Sequence, residues 1–203
     1  MAEKSLSFEP GIAGVDEAGR GPLAGPLVVA AVLIPKGFDV RGIQDSKKLT
    51  ESQRESLFSK ILSGCEHAIV VVSPEEIDRF NILQATMNGM AESLRLLPIR
   101  PKAALIDGNK IPLNAPVICT PIVKGDSLYA AIAAASILAK VTRDRLMVEY
   151  AEEFPGYGFE QHKGYPTEMH LNMLMELGPC AIHRQSFAPV RAGILQPCLS
   201  LVV

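Results

Sequence analysis

With 203 residues, 48% of them hydrophobic and 21% charged, the chain can bury one proper core and is sized for one domain with at most a small appendage. A formal net charge of −2 at pH 7 excludes an overall basic signature, so a nucleic-acid partner would have to be met by local lysine and arginine clusters. The opening MAEKSLSFEP lacks the charged-then-apolar order of a signal peptide, and the longest apolar runs, residues 27–34 and 128–139, are too short to span a bilayer; the expectation is a soluble, cytoplasmic protein.

In chain order, the first element is a short apolar run, residues 12–15, ending in two adjacent acids, Asp16 and Glu17. A loop with Gly19, Arg20, Gly21 and Gly25 follows, and the chain re-enters an apolar run over residues 27–34. Strand, acidic tip, glycine loop and strand make a hairpin with a site in its turn. Side chains alternate faces along a strand, so Asp16 and Glu17 can share a ligand only near a strand end or a bulge. GRGPLA matches the loose dinucleotide pattern, but that fingerprint must open a helix, and the run LVVAAVLI reads as a strand. A phosphate-cradling loop fails as well, because no Gly-Lys-Ser/Thr follows. Two readings stay open: bare backbone approaching a nucleic-acid strand beside metal-holding carboxylates, or an ordinary hairpin turn with exposed acids.

Beyond a turn at Pro35, Lys36 and Gly37, DSKKLTESQRESLFSKIL reads as a helix capped by Thr50, with Leu57, Phe58, Ile61 and Leu62 as its apolar stripe. Lys47 and Lys48, just before it, form either a solvated face or a phosphate contact. Residues 68–73 are a third strand. Two helical pieces follow, a short turn over residues 74–78 and a longer helix over residues 82–97 whose methionines fill core. Residues 102–106 are a fourth strand, with Asp107 at its carboxyl end, where α/β sheets tend to bind ligands. Residues 117–123 form a fifth strand despite Pro121. Lys124, Gly125, Asp126 and Ser127 then open a helix running to about Phe154, and Asp126 is either its N-cap or a ligand. The loop PGYGFEQHKGYPT carries Lys163 and Tyr165. A helix over residues 167–177 ends at Gly178 and Pro179, and His183 and Arg184 precede a short tail. The four cysteines form no C-x-x-C pair, so reduced thiols are expected. Cys180 and His183 have C-x-x-H spacing without the second pair a structural zinc would want.

Four acids therefore stand at strand ends or a helix start: Asp16, Glu17, Asp107 and Asp126. Converging on one sheet edge they would repel without cations, and oxygen-only ligands select Mg²⁺ or Mn²⁺. Two such ions can activate a water and stabilise the departing oxygen of a phosphodiester, with no histidine base required. The motifs VDEAGRGPLAGP, DSKKL, NILQATM, LIDGN, VKGDS, AASILAKVTRD, FPGYGFEQHKGYPT and HRQSFAPV, in this order and spacing, resemble those of the bacterial ribonuclease HII (type 2 ribonuclease H) family from about Gly11 to Val190. The resemblance implies an α/β, ribonuclease H-like mixed five-stranded sheet flanked by helices. It implies a catalytic core over residues 1–155 and a small helical C-terminal part over residues 156–203 that completes the substrate groove.

It further implies hydrolysis of the RNA strand of RNA–DNA hybrids, and cutting 5′ of single ribonucleotides in duplex DNA, giving 3′-hydroxyl and 5′-phosphate ends. The metal and catalytic set implied is Asp16, Glu17, Asp107 and Asp126. Gly19, Arg20 and Gly21 are implied to contact the ribonucleotide 2′-hydroxyl, and Tyr165 to pack on the neighbouring sugar. Both roles agree with the residues themselves, since the 2′-hydroxyl separates RNA from DNA at a nucleotide and glycines let backbone reach it. Lys47, Lys48, Lys124, Arg143 and Lys163 are the candidates for phosphate contacts, with Arg143 and Asp144 alternatively a helix-surface pair. A monomer is expected. The tail Gln196–Val203 departs from the family pattern; its Gln-x-x-Leu-x-Leu order faintly resembles a sliding-clamp-binding peptide, against the preferred reading of a plain apolar chain end. Rival classes are a binder of hybrid duplexes that does not cut, and another carboxylate nuclease such as a resolvase or transposase.

Overall fold

The structure, a computed structural model, describes residues 6–195. Its sheet has five strands, β1 (Ile12–Ala18), β2 (Leu27–Leu33), β3 (Glu66–Val72), β4 (Ala103–Asp107) and β5 (Cys119–Ile122), in the order β3-β2-β1-β4-β5. Strand β1 pairs antiparallel with β2 and parallel with β4, and β4 pairs parallel with β5, so the sheet is mixed. The helices are α1 (Glu51–Gly64), α2 (Pro74–Phe80), α3 (Ile82–Arg95), α4 (Ala130–Glu153), α5 (Phe159–His162), α6 (Glu168–Leu177) and α7 (Ala188–Leu195), with short 3₁₀ turns at Ser46–Lys48 and Gly125–Ser127. No helix among the described residues is long and apolar enough to cross a membrane.

Contacts divide the chain into two compact units. The first holds the residues up to Ala18, Val28–Val71 and Thr86–Thr142. Every residue of β2 is buried, which is why LVVAAVL reads as an unbroken apolar run rather than an alternating one. The small residues opening α4 allow close packing on the sheet, and Gly14 in β1 makes it possible: a Cβ there would lie 2.1 Å from the backbone carbonyl carbon of Ala131. The N-terminal strap joins the same place, with Ser7 N–H donating to Leu128 O (2.9 Å) and Ala130 N–H donating to Ser7 O (2.9 Å).

The second unit collects Gly19–Leu27, Val72–Ala85 and the chain from Arg143 onward. Ala24, Met147, Tyr157, Phe159 and Ile182 form one buried cluster and Leu23, Leu174 and Val190 another. Asp78 ties two of the three stretches by accepting from the backbone N–H of Gln185 (2.8 Å) and Ser186 (2.9 Å).

Several elements differ from expectation. The short helical piece expected over residues 74–78 runs on to Phe80 as α2, opened by a capping box of Ser73 and Glu76 with Pro74 in its first turn. Helix α7 occupies the start of the stretch expected only as a short tail after residues 183–187, and α5 lies inside the expected loop. Helix α4 begins at Ala130, so neither Asp126 nor Ser127 caps it; both sit in the preceding 3₁₀ turn. The cap expected at Thr50 is present as a reciprocal pair with Gln53.

Candidate functional site

Asp16 and Glu17 lie inside β1 rather than beyond its end, since pairing continues to Ala18 opposite Val28. They therefore leave on opposite faces, while Glu17 N–H folds back onto Asp16 Oδ1 at 2.7 Å. Asp16 is buried, and burial first, then the charges of Glu17 and Asp107, push its carboxyl well above the usual carboxylate range. A hydrogen bond from Ser136 on α4 opposes that shift, and Ser136 Oγ is in turn bonded to Ser46 Oγ at 3.0 Å.

Parallel pairing of β4 with β1 places Asp107, the last residue of β4, near these acids. Asp107 Oδ1 accepts the Gly125 N–H at 2.7 Å, which fixes the turn holding Asp126. Lys124 enters that turn in the left-handed region, at φ 57°. Asp126 is buried, and its carboxyl is raised by burial, then by Asp45 and Asp107, with Lys47 pulling the other way. Asp107 acts on both Asp16 and Asp126 and so brings these three acids into one neighbourhood, and Glu17 adds its charge to that felt by Asp16. Among the described residues no three acidic, imidazole or thiol side chains already close on a single metal position. The all-oxygen donor set and the repulsion among its carboxylates fit hard divalent cations, which would relieve that repulsion.

In the second unit, Gly19, Arg20 and Gly21 lie in a loop held from beneath by two buried guanidinium groups. Arg143, 1% exposed, donates through Nε to Pro26 O (2.9 Å) and through Nη2 to Ala24 O (3.2 Å). The expectation that Arg143 stands on the helix surface, meeting phosphate or an exposed Asp144, is corrected: the side chain is buried beneath the loop and both Nε and Nη2 bond loop carbonyls. Gly19, at φ 100°, is required here, because a Cβ would stand 2.2 Å from Arg143 Nε. Arg184, fully buried, bonds the carbonyls of Gly19, Arg20, Pro22 and Gly25.

Tyr165 is half-exposed at 42% beside this loop, with its ring near Gly21 and 5.8 Å from the Arg143 guanidinium. Its backbone carbonyl accepts from His170 Nδ1 (2.9 Å), and Leu23 N–H donates to Gly164 O (2.8 Å). Lys47, Lys48 and Lys124 are exposed; Lys163, at φ 50°, is partly buried and bonds Glu160 O. Cys180 and His183 form a hydrogen-bonded pair rather than half a metal site: Sγ lies 3.1 Å from Nδ1, and the far His183 nitrogen bonds His170 Nε2 at 3.1 Å.

Sequence reasoning missed Ser136, Ser46 and Arg184 as site-supporting groups. Ser136 did leave a signal, as the lone hydroxyl in AAIAAASILA. Arg184 left only a charge in an otherwise neutral stretch.

Comparison with known proteins agrees with this geometry. The chain is similar to the ribonuclease H2 of Pyrococcus horikoshii OT3, with a TM-score of 0.77 and 30% identity over 90% of this chain and 96% of that one. It is also similar to the ribonuclease HII of Archaeoglobus fulgidus, solved in complex with PCNA, with a TM-score of 0.73 and 30% identity over 85% and 93%. Fold and carboxylate site together define an enzyme of the ribonuclease H class. Proteins called ribonuclease HII in Geobacter metallireducens and Maricaulis maris are 55% and 51% identical over 90% of this chain, covering 86% and 84% of their own lengths. The ribonuclease HII family pattern matches residues 13–190, and the chain belongs to that family, endonucleases of the RNA in RNA–DNA hybrids that depend on divalent metal ions.

Proposed function

We propose that this enzyme, besides cutting the RNA strand of hybrids, cuts 5′ of single ribonucleotides embedded in duplex DNA and leaves 3′-hydroxyl and 5′-phosphate ends. The observation that carries the chemistry is the buried Asp16 carboxyl, raised by its burial and by its acidic neighbours. Such an arrangement costs stability in the free protein and is reasonable where cations complete it. Asp16, Glu17, Asp107 and Asp126 would hold Mg²⁺ or Mn²⁺, two ions in the reading adopted here. When bound, such ions supply an activated water and neutralise charge on the departing 3′-oxygen.

The chain's own groups do the rest. Ser136, backed by Ser46, orients Asp16, and the Gly125 amide orients Asp107. Gly19, Arg20 and Gly21 offer backbone to the 2′-hydroxyl, the one group that marks a ribonucleotide. Tyr165 presents an aromatic face that packs on a deoxyribose and would crowd an added hydroxyl. Lys47, Lys48, Lys124 and Lys163 neutralise phosphates and set register without reading sequence. Residues 156–203 serve with the core of residues 1–155 as one catalytic unit and complete its substrate groove; the protein acts as a monomer in the cytoplasm.

The test is cleavage of a duplex carrying one ribonucleotide, with Mg²⁺ or Mn²⁺, against an all-DNA control. One nick 5′ of the ribonucleotide, lost in Asp107→Asn, is the expected result. Cutting of long hybrids but not of that duplex would undo the roles of Gly19, Arg20, Gly21 and Tyr165. The tail Gln196–Val203 lies outside the described residues. A clamp contact through it draws support from the Archaeoglobus relative solved with PCNA, and deleting the tail tests it: clamp binding that survives unchanged ends the idea.

A further inference from the structure

Arg184 lies 159 to 165 residues from the loop positions it holds, is fully buried, and makes no ion pair at contact distance among the described residues. Its donors go instead to four carbonyls of one loop: Nε to Gly25 O at 3.0 Å, Nη1 to Pro22 O at 2.8 Å and Arg20 O at 3.2 Å, and Nη2 to Gly19 O at 2.6 Å. Burial, then the Arg143 charge, lowers its guanidinium to about 9, which leaves it cationic at neutral pH. The guanidinium also lies 5.2 Å from the Phe187 ring and feels the attraction of Asp78, but its hydrogen bonds go to carbonyls of this loop, and a buried cation is a costly way merely to fill space. Its effect on the loop follows from the planarity of the peptide.

In a trans peptide the C=O and the following N–H point in opposite directions, and no peptide among the described residues is cis. With the Gly19 and Arg20 carbonyls turned inward onto Arg184, the Arg20 and Gly21 amides are turned outward, at two residues that are both exposed. The same logic holds one step on: the inward Pro22 carbonyl sends the Leu23 amide toward Gly164 O, where it bonds at 2.8 Å, directly before Tyr165.

We propose that Arg184 is a positioning residue for ribonucleotide recognition, fixing the Arg20 and Gly21 amides as a paired set of outward donors and docking their loop beside Tyr165. The proposal rests on the 2′-hydroxyl reading of this loop given above. Consecutive amides aimed one way form a concave donor site for a hydroxyl or phosphate oxygen. Lysine, with a compact ammonium in place of a planar five-donor fork, cannot hold four divergent carbonyls at once.

The experiment uses the full chain in an Asp107→Asn background, so that binding is read without cleavage. Affinities are measured for a DNA duplex with one ribonucleotide and for the same all-DNA duplex. Arg184→Lys is expected to reduce the preference for the ribonucleotide at least tenfold, with all-DNA affinity kept within twofold and a cooperative melt retained. Preference retained by a folded Arg184→Lys variant overturns the proposal and leaves the loop reading intact. No preference in Asp107→Asn alone removes the loop reading, and the proposal with it. Amide hydrogen exchange in the unsubstituted protein is a second measurement, one that needs no folded variant. The Gly21 amide is expected to exchange at least a hundredfold faster than those of Leu23 and Gly25, and equal protection at Gly21 overturns the outward orientation.

Discussion

Asp16 shows how one side chain can cost stability for the sake of a site. Its carboxyl is raised in the fold, so the protonated form is the one the folded state favours. Stability from this group is therefore present at low pH and lost as pH rises through the raised value. In metal-free protein at neutral pH, Asp16→Asn should raise the melting temperature by at least about 2 °C, a shift of roughly 1 kcal/mol for a chain of this size. Added Mg²⁺ or Mn²⁺ should stabilise the unsubstituted protein and not the variant, which thermal melts with chelator and with metal compare directly. Asp107→Asn should nearly abolish turnover while duplex binding persists, as read by cleavage and by titration. Tyr165→Ala should act differently, keeping cleavage of long hybrids and blurring the choice of nucleotide at the junction; mapping cut positions on a duplex with one ribonucleotide checks it. The acids were legible in sequence because each follows a short apolar run or opens a glycine-bearing turn, even though Asp16 and Glu17 prove to lie within β1. Arg184, Ser46 and Ser136 were not, because partners 90 to 165 residues away leave no local pattern.

Among the elements, two contacts have measurable consequences for stability. Gly14 permits β1 to lie against the first turn of α4, and a methyl group there would collide with the Ala131 backbone rather than with a flexible side chain. Gly14→Ala should destabilise by about 2–3 kcal/mol or more, the upper range for overpacking, because backbone cannot step aside as a side chain can. Denaturant unfolding measures it. The His170–His183 pair works through protonation. Burial, then the neighbouring His170, holds His183 down at about 4, so the folded protein keeps it neutral. That contribution is complete above the ordinary histidine range and is lost as pH falls from about 6.5 toward 4. His183→Gln should flatten this part of the stability profile, read as melting temperature against pH. Periodicity predicted α1, α3, α6 and all five strands within a few residues. It gave α2 only as a short turn and missed α5 and α7, whose short lengths give too few turns for an apolar stripe to register.

At the scale of the whole chain, β1 is the member on which order depends. Its pairing with β2 is local, closing across one loop, whereas its pairing with β4 brings together residues some ninety apart in sequence. Asp107 cannot join Asp16 until that second, long-range closure is made, so the carboxylate neighbourhood forms with the late contacts. The expected fold class was legible because a hairpin followed by strands and helices in alternation leaves few arrangements open. The grouping of Gly19–Leu27 with the chain beyond Arg143 was not, because it depends on buried arginines reaching backbone far away in sequence.

Because β1 is bonded on both sides, it has no edge that can peel away by itself. In an enzyme built this way Asp16 and Asp107, on paired strands, cannot drift apart while the sheet survives. Heat should switch it off as one event, with the loss of nicking activity falling on the same curve as the loss of secondary structure, and cooling should restore both together.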